Sequence, residues 1–517
     1  MRKAVVVAAL LVLVSALFVG GCGKTPAEQA KPTRFTYATG VEPESLDPAN
    51  ALNVGSTQVI MQVYEGLVCR DENLKVYPRL ATSWDISPDK KVYTFHLREG
   101  VKFHDGTPFD AEAVKANLDR HLNLDKPTKN RQYYAMVESI VVKDHKTVEI
   151  RLKQPYGSFL ELLAQPHAFI VSPQAIAELG EDLARRAVGT GPFVLKEWVP
   201  GSEVIMEANR EYWGGKPEID ELVFKPVNED GARVMMLESG QADMITYVPP
   251  AEIETLRQKG FKVVLTPTTR QRFVSINCLD PILKDKRVRQ ALNYAVNKKA
   301  IVDLIWQGTA EVSDSPIPPR VWGHFAVGAY EYNPDKAKQL LAEAGYPNGF
   351  AVNFWYIKRG PGAKEIMEAI QADLRKVGVN AKIQEYEPGI WVSGVLNKGP
   401  EDAQKMGRQL LMLGSSGAEV RELLWQFHHS SNWSPGGMNR AFLKNAQIDE
   451  LTDKLMVATE EGEALALAEQ AQKLVMDEAP WIFLYSESQA RAMKANVEGV
   501  IIPPMELEEF YKVRFTK

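Results

Sequence analysis

"PRLATSWDISPDKKVYTFHLREGVKFHDGTPFDAEAVKANL", residues 78–118, carries three kinds of local signal in one run. Residues 91–103 alternate apolar and polar side chains, the two-residue period of a strand with one buried face, and Glu99-Gly100 supplies a turn. "HDGTPF" is a loop. "DAEAVKANLDRHL" then switches to helical spacing, with Asp110 placed to cap the first turn. Strand, loop and helix in immediate succession predict a mixed α/β chain.

The same alternation continues on both sides. "RFTYATG" (34–40) reads as a strand and "TQVIMQVYEGLV" (57–68) as a helix ending at Gly66. "SIVVKDHKTVEIRL" (139–152) reads as a hairpin turning at Asp144-His145. "SFLELLA" starts a helix, and "GTGPFVLKEWVPGSEVIMEAN" (189–209) is two strands around Pro200-Gly201. "EIDELVFKPV" is a strand, "DGARVMMLESG" a helix ending at Gly240, and "FVSIN" a strand. Residues 286–308 predict one long helix with Val288, Ala291, Leu292, Ala295 and Val296 on one face. "PDKAKQLLAEAGY" is a helix closed by Gly345. "AVNFWYIK", "GAKEIMEAIQADLRKVGV" and "AKIQEYE" give strand, helix, strand, a parallel βαβ unit. Residues 448–479 predict a helical pair split near Glu461-Gly462, and "PWIFLYSESQARAMKA" returns as a strand.

At the N-terminus, Arg2 and Lys3 precede an apolar, uncharged run from Ala4 to Gly20, the layout of a secretory signal peptide. A transmembrane anchor is the other reading of this run. It ends in Val19-Gly20-Gly21-Cys22, which looks like a lipobox: small residues before a cysteine whose thiol takes a diacylglycerol. Residues 1–21 are thus expected to be removed, and Cys22 to be the lipidated start of a flexible polar tether over 22–33. The remaining 496 residues from Cys22 to Lys517 are too many for one ordinary core and predict two or more domains. A net charge of −5 gives no reason to expect a nucleic-acid partner. Beyond Cys22, Cys69 and Cys278 remain; in an oxidising compartment they could pair, and otherwise they pack as small hydrophobes.

Catalytic spacings are missing. "LGSSGA" (413–418) is not a nucleophile elbow, "GTGPF" is too short to be read as a phosphate loop, and no Walker, H-E-x-x-H or C-x-x-C motif occurs. His428-His429 is the one histidine pair, and adjacent side chains on a regular element diverge instead of converging on a metal. No cofactor and no enzymatic activity are expected. Tyr133-Tyr134, Trp355-Tyr356, Trp391, Trp425 and Trp433 fall near loops or strand ends. Each either packs in a core or lines a ligand cleft.

Several segments, in order, carry a resemblance: "SLDPANA" (45–51), "VYEGLV" (63–68), the opening stretch (78–118), "GTGPFVLKEW" (189–198), "NREYWGGKP" (209–217), "LESGQADM" (237–244), "VRQALNYAVNKKAIV" (288–302) and "YNPDKAKQLLAEAGYPNGF" (332–350). From residue 34 to 517 the chain resembles the large solute-binding proteins of bacterial ABC importers in the dipeptide, oligopeptide and nickel class, solute-binding family 5. The resemblance implies a two-lobed α/β fold of the periplasmic-binding-protein type II, with an extra subdomain in the first lobe. Lobe I would comprise 34–56, 185–270 and 488–517, the extra subdomain 57–184 and lobe II 271–487. It implies capture of a peptide or peptide-like solute between the lobes and delivery to ABC permease subunits. The protein would be a monomer, exported and lipid-anchored at the outer face of the cell membrane or in the periplasm. A nickel or metal-chelate receptor and a peptide sensor or chaperone are the alternatives.

The resemblance also places ligand contacts. Arg359 in "WYIKRGPGAKE" matches an arginine for a peptide carboxylate, near Trp355. The loop with an aspartate for the ammonium reads Ser415, Ser416, Gly417, Ala418, Glu419 here. Ala418 stands where the aspartate belongs, and Glu419 is one residue out of register. Tyr133 and Gln165 occupy places where the nickel branch has arginines, with His167 close by. Trp391 completes the expected ligand-binding set.

Overall fold

The computed structural model describes residues 33–357 and 362–517. The expected signal peptide, the expected lipobox with Cys22, nearly all of the expected tether, and Arg359 lie outside the described residues. Among the described residues no helix is long and apolar enough to cross a membrane.

Two lobes share a continuous sheet. In lobe I, the strand Arg34–Thr39 lies parallel to Glu221–Pro226 and to Met244–Ile245, and the hairpin Phe193–Val199/Glu203–Ala208 extends the edge. In lobe II, Phe350–Ile357 lies parallel to Val379–Tyr386 and to Leu410–Ser416, with the helix Ala363–Lys376 as the crossover. Two long strands, Lys262–Ile276 and Trp481–Met493, run antiparallel through the middle and belong to both lobes. Fifteen residues of strand reach about 50 Å, enough to serve two lobes. Their register slips between Pro267, opposite Ser488, and Gln271, opposite Ser486. Proline has no N–H to give to the ladder, so the slip falls where the chain already lacks a donor.

The extra subdomain is a separate antiparallel sheet in the order Ala81–Ile86, Val92–Leu97, Thr147–Leu152, Val137–Asp144, covered by the helix Ala111–Leu122. Asp110 caps that helix by accepting from the Ala113 N–H at 3.0 Å. Glu65 ties the subdomain to lobe I. Its buried carboxylate accepts from Arg79 Nε at 2.7 Å, Tyr212 OH at 2.7 Å, Trp213 Nε1 at 2.8 Å and Thr190 Oγ1 at 2.9 Å. The "GTGPF" stretch is structural: a Cβ on Gly189 would sit 2.1 Å from the Val63 carbonyl oxygen, so only glycine lets the two backbones meet.

Three sequence expectations change. The helix expected over 286–308 is broken into Lys286–Ala295, Lys298–Ile301 and a wider turn at Val302–Trp306. Asn297 starts a new helix by accepting from the Ala300 N–H, while its own N–H donates to Asp373 on a different helix. The expected apolar face of the first piece is intact, and Val288, Ala291, Leu292 and Ala295 are fully buried. The helix expected over 57–68 spans Val54–Val63, because Asn53 accepts from the Ser56 N–H and the chain turns extended at Tyr64. "FVSIN" is only the end of the 15-residue strand, whose other half pairs more than 200 residues away. Cys69 and Cys278 are both free thiols, packed against different apolar clusters. Burial pushes their pKa values up to about 12 and about 11.

Candidate ligand-binding cleft

A cavity of about 230 Å³ lies where separate parts of the chain converge. Asn53 and Thr57 at the start of the first helix, Gln165, Arg270 of a crossing strand, Ser416 of lobe II, and the returning C-terminal segment at Met505-Glu506 all line it. A smaller hollow of about 180 Å³ lies near residues 497–502, with Lys262 and Glu498 among otherwise mostly apolar side chains.

Most of the charge in this region is internally matched. Arg270 Nε stands 3.0 Å from Glu506, and the same carboxylate accepts from Tyr247 OH at 3.0 Å. Both Tyr247 (φ 54°) and Glu506 (φ 62°) hold left-handed backbone, a strained state that persists where surrounding contacts enforce it. Arg272 pairs with Glu487. Glu419 accepts from Arg421 Nη1 at 2.8 Å and from the Arg421 N–H at 3.2 Å, capping the helix Val420–His428. Burial pushes the Glu419 acid up, and the Arg421 charge opposes that.

Two charged groups stand apart. Arg70 donates from Nη2 to the Glu161 carbonyl at 3.0 Å and places Nη1 3.3 Å from the Met505 sulfur, while its Nε is buried without a partner. Burial lowers its pKa, and Glu161, Glu419 and Glu422 work against that. Among the described residues Glu422 receives only the Tyr156 hydroxyl, at 3.4 Å. Burial raises its pKa, opposed chiefly by Arg70.

The residues expected from sequence fall into three groups. Gln165 and Ser416 line the cavity. Tyr133 lies near it, stacked on His167 with centroids 5.0 Å apart and planes within 5°. Trp355 and Trp391 are buried with Val395 and Leu411, and Tyr386 packs against both at 5.3 and 5.9 Å. Ser415 is buried in the strand opposite Gln271, and Glu419 is engaged by Arg421. His167 Nδ1 lies 2.8 Å from Tyr134 OH. His428 sits in the core against Trp481 with neither ring nitrogen paired. Among the described residues no cluster of three metal-ligating side chains occurs.

Arg70, Arg270, Glu422 and Glu506 were not flagged by the sequence. No local spacing marked them, because each reads as an ordinary surface charge until the fold places its neighbours.

Residues 75–435 match the profile of the bacterial extracellular solute-binding proteins, family 5 Middle. The chain belongs to this family. Among its family 5 relatives is the glutathione-binding protein GsiB of Salmonella typhimurium, 34% identical over 483 residues and covering 93% of each chain. HbpA2 from Haemophilus parasuis has a similar structure, with a TM-score of 0.81 at 27% identity, over 94% of this chain and 100% of that one. The periplasmic binding protein DppA from Helicobacter pylori, in complex with the peptide STSA, gives a TM-score of 0.80 at 27% identity over 95% and 100%.

Proposed function

We propose that this chain captures a peptide or peptide-like solute between its lobes and delivers it to the permease of an ABC importer, without chemical turnover. The observation that carries this reading is the cavity on which lobe II, the crossing strand and the C-terminal return converge with charged side chains in its walls. A peptide has donors, acceptors and charged ends, and such a cleft can match them. The GsiB and DppA relatives, named for glutathione and crystallised with a peptide, support the ligand class.

The slip at Pro267–Gln271 gives the two crossing strands a place to bend, as hinge closure requires. Lobe I would take 34–56, 185–270 and 488–517, with the extra subdomain at 57–184 and lobe II at 271–487. Cys22 would carry the lipid that holds the receptor, as a monomer, near its transporter on the outer face of the membrane.

Titration calorimetry with glutathione, Met-Leu, Ser-Thr-Ser-Ala and a nickel–histidine complex tests the ligand class. Binding of at least one of the three peptides is expected. Binding of the nickel complex alone, or of none, rejects peptide capture.

A further inference from the structure

The extra subdomain touches lobe II directly, through residues that do not line the cavity. Tyr156 and Gly157 follow the strand Thr147–Leu152 and precede the helix Phe159–Leu163. They lie against the connection between the lobe II helices Ala446–Val457 and Glu461–Glu478. The Gly157 N–H donates to the Met456 carbonyl at 3.0 Å, and Tyr156 OH donates to Glu422 at 3.4 Å. Lys90, in the turn between Ala81–Ile86 and Val92–Leu97, stands 3.5 Å from Glu460.

Gly157 makes this approach possible. A Cβ there would lie 2.3 Å from the Ala458 carbonyl oxygen and 2.7 Å from Arg421 Nε, and both of those atoms belong to lobe II. Its φ lies outside the left-handed region, so alanine would leave the subdomain's own backbone unstrained. The clash is wholly with the other body.

The contact is also of a kind that can part. Lys90 and Glu460 are 37% and 74% exposed, so their ion pair contributes little. Among the described residues, the subdomain's apolar cluster has no member beyond Trp213, and the clusters of lobe II draw only on residues 273–485. Apolar burial is the main force that fuses two bodies, and here none is shared. Arg421 Nε is buried beside Gly157 without a hydrogen-bond partner, a cost that opposes closure and that opening to water relieves. Gln165 follows the Tyr156-Gly157 loop on the subdomain side and Ser416 precedes the helix of Glu422 in lobe II. Both line the cavity, so parting the loop from lobe II draws two cavity walls apart.

We propose that the Tyr156-Gly157 loop is a clasp by which the extra subdomain, and not lobe I alone, holds lobe II closed, with solute-free protein exchanging between clasped and open forms. The absence of a side chain at Gly157 sets the balance. The clasp goes beyond solute capture and acts on any solute the cleft takes.

The test begins without solute. Carbodiimide joins an amine to a carboxylate already in contact, so peptide mass spectrometry of the treated wild-type protein should find Lys90 linked to Glu460. The linked protein should have a smaller radius of gyration in small-angle scattering than untreated protein. Gly157→Ala should cut the yield of the link at least about fivefold and enlarge the radius, with the unfolding midpoint unchanged. Absence of the link in wild-type protein overturns the clasp, as does equal compactness of linked and untreated protein. A folded Gly157→Ala protein with the wild-type yield and radius also overturns it. The two wild-type measurements decide even where the variant fails to fold. In calorimetry, every peptide that binds the wild type should bind Gly157→Ala more weakly by one common factor. A loss confined to some peptides would make Gly157 a ligand contact and overturn the clasp. Binding of no peptide overturns peptide capture, while linking and scattering still decide the clasp.

Discussion

The Arg421 guanidinium donates from Nη1 to the Glu419 carboxylate at 2.8 Å, and both side chains are buried. Arg421 also donates from Nη2 to the Ala458 carbonyl at 3.3 Å and lies over the Trp322 ring at 4.8 Å. The one carboxylate in the loop 415–419 is thus committed to holding a helix start and a buried cation.

Glu419→Ala should therefore act on stability. Removing one partner of a buried ion pair costs about 3–5 kcal/mol, which urea unfolding would register as a lower midpoint. Peptide affinity by calorimetry should change little at temperatures where the variant is folded. A tenfold loss of affinity at unchanged stability would make Glu419 a ligand contact after all.

Arg359 follows the strand Phe350–Ile357 and precedes the helix Ala363–Lys376. Ligands of open α/β sheets bind beyond the carboxyl ends of such strands. Its proposed role is to hold the carboxyl terminus of a bound peptide, a part common to glutathione and its α-linked isomer Glu-Cys-Gly. Arg359→Ala should weaken both equally, by at least about tenfold. An unchanged affinity for both removes Arg359 from the site, and a loss confined to one of them shows that it reads something other than the shared carboxyl terminus.

Glu65 gathers four donors from three separate parts of the chain. Glu65→Gln keeps the shape but removes the charge opposite Arg79 and turns one acceptor into a donor. A loss of about 3–5 kcal/mol in chemical unfolding is expected. A change below about 1 kcal/mol would mean that the Arg79 pair contributes little to docking the extra subdomain.

Burial holds histidines neutral: His121 is pulled down to about 4, His167 to about 3 and His428 to about 3, with Arg120 adding to the effect on His121, and His104 is lowered as well. In the unfolded chain each titrates near 6.5. Between pH 6.5 and about 4 the unfolded state binds more protons, so stability is full above pH 6.5 and falls as the pH drops through this window. Unfolding midpoints measured at pH 7, 6 and 5 should decline. In His428→Met the slope should be shallower by at most about 1.4 kcal/mol per pH unit, one proton's worth. An identical slope in the variant would show that His428 takes up its proton in the folded state.

Local residue patterns determined a good deal by themselves. The parallel unit of Phe350–Ile357, Ala363–Lys376 and Val379–Tyr386, the Asp110 cap and the hairpin at Asp144-His145 were legible because period, cap and turn act within a few residues. The ordered run of family segments carried the two-lobed fold and the solute-binding role. Tertiary structure decided what long-range pairing controls. Lys262–Ile276 is one strand because Trp481–Met493 pairs with it, although Pro267 interrupts the local signal. The helix near Asn297 breaks because Asp373 takes its N–H. In the cleft, Glu419 looked available because its partner Arg421 is recognisable only once the helix start is buried. Arg70, Glu422, Glu506 and Arg270 looked like ordinary surface charges. Hydration makes such residues alike in an extended chain, and only burial, together with which opposite charge the fold places beside each one, distinguishes a matched pair from a group left open to a ligand.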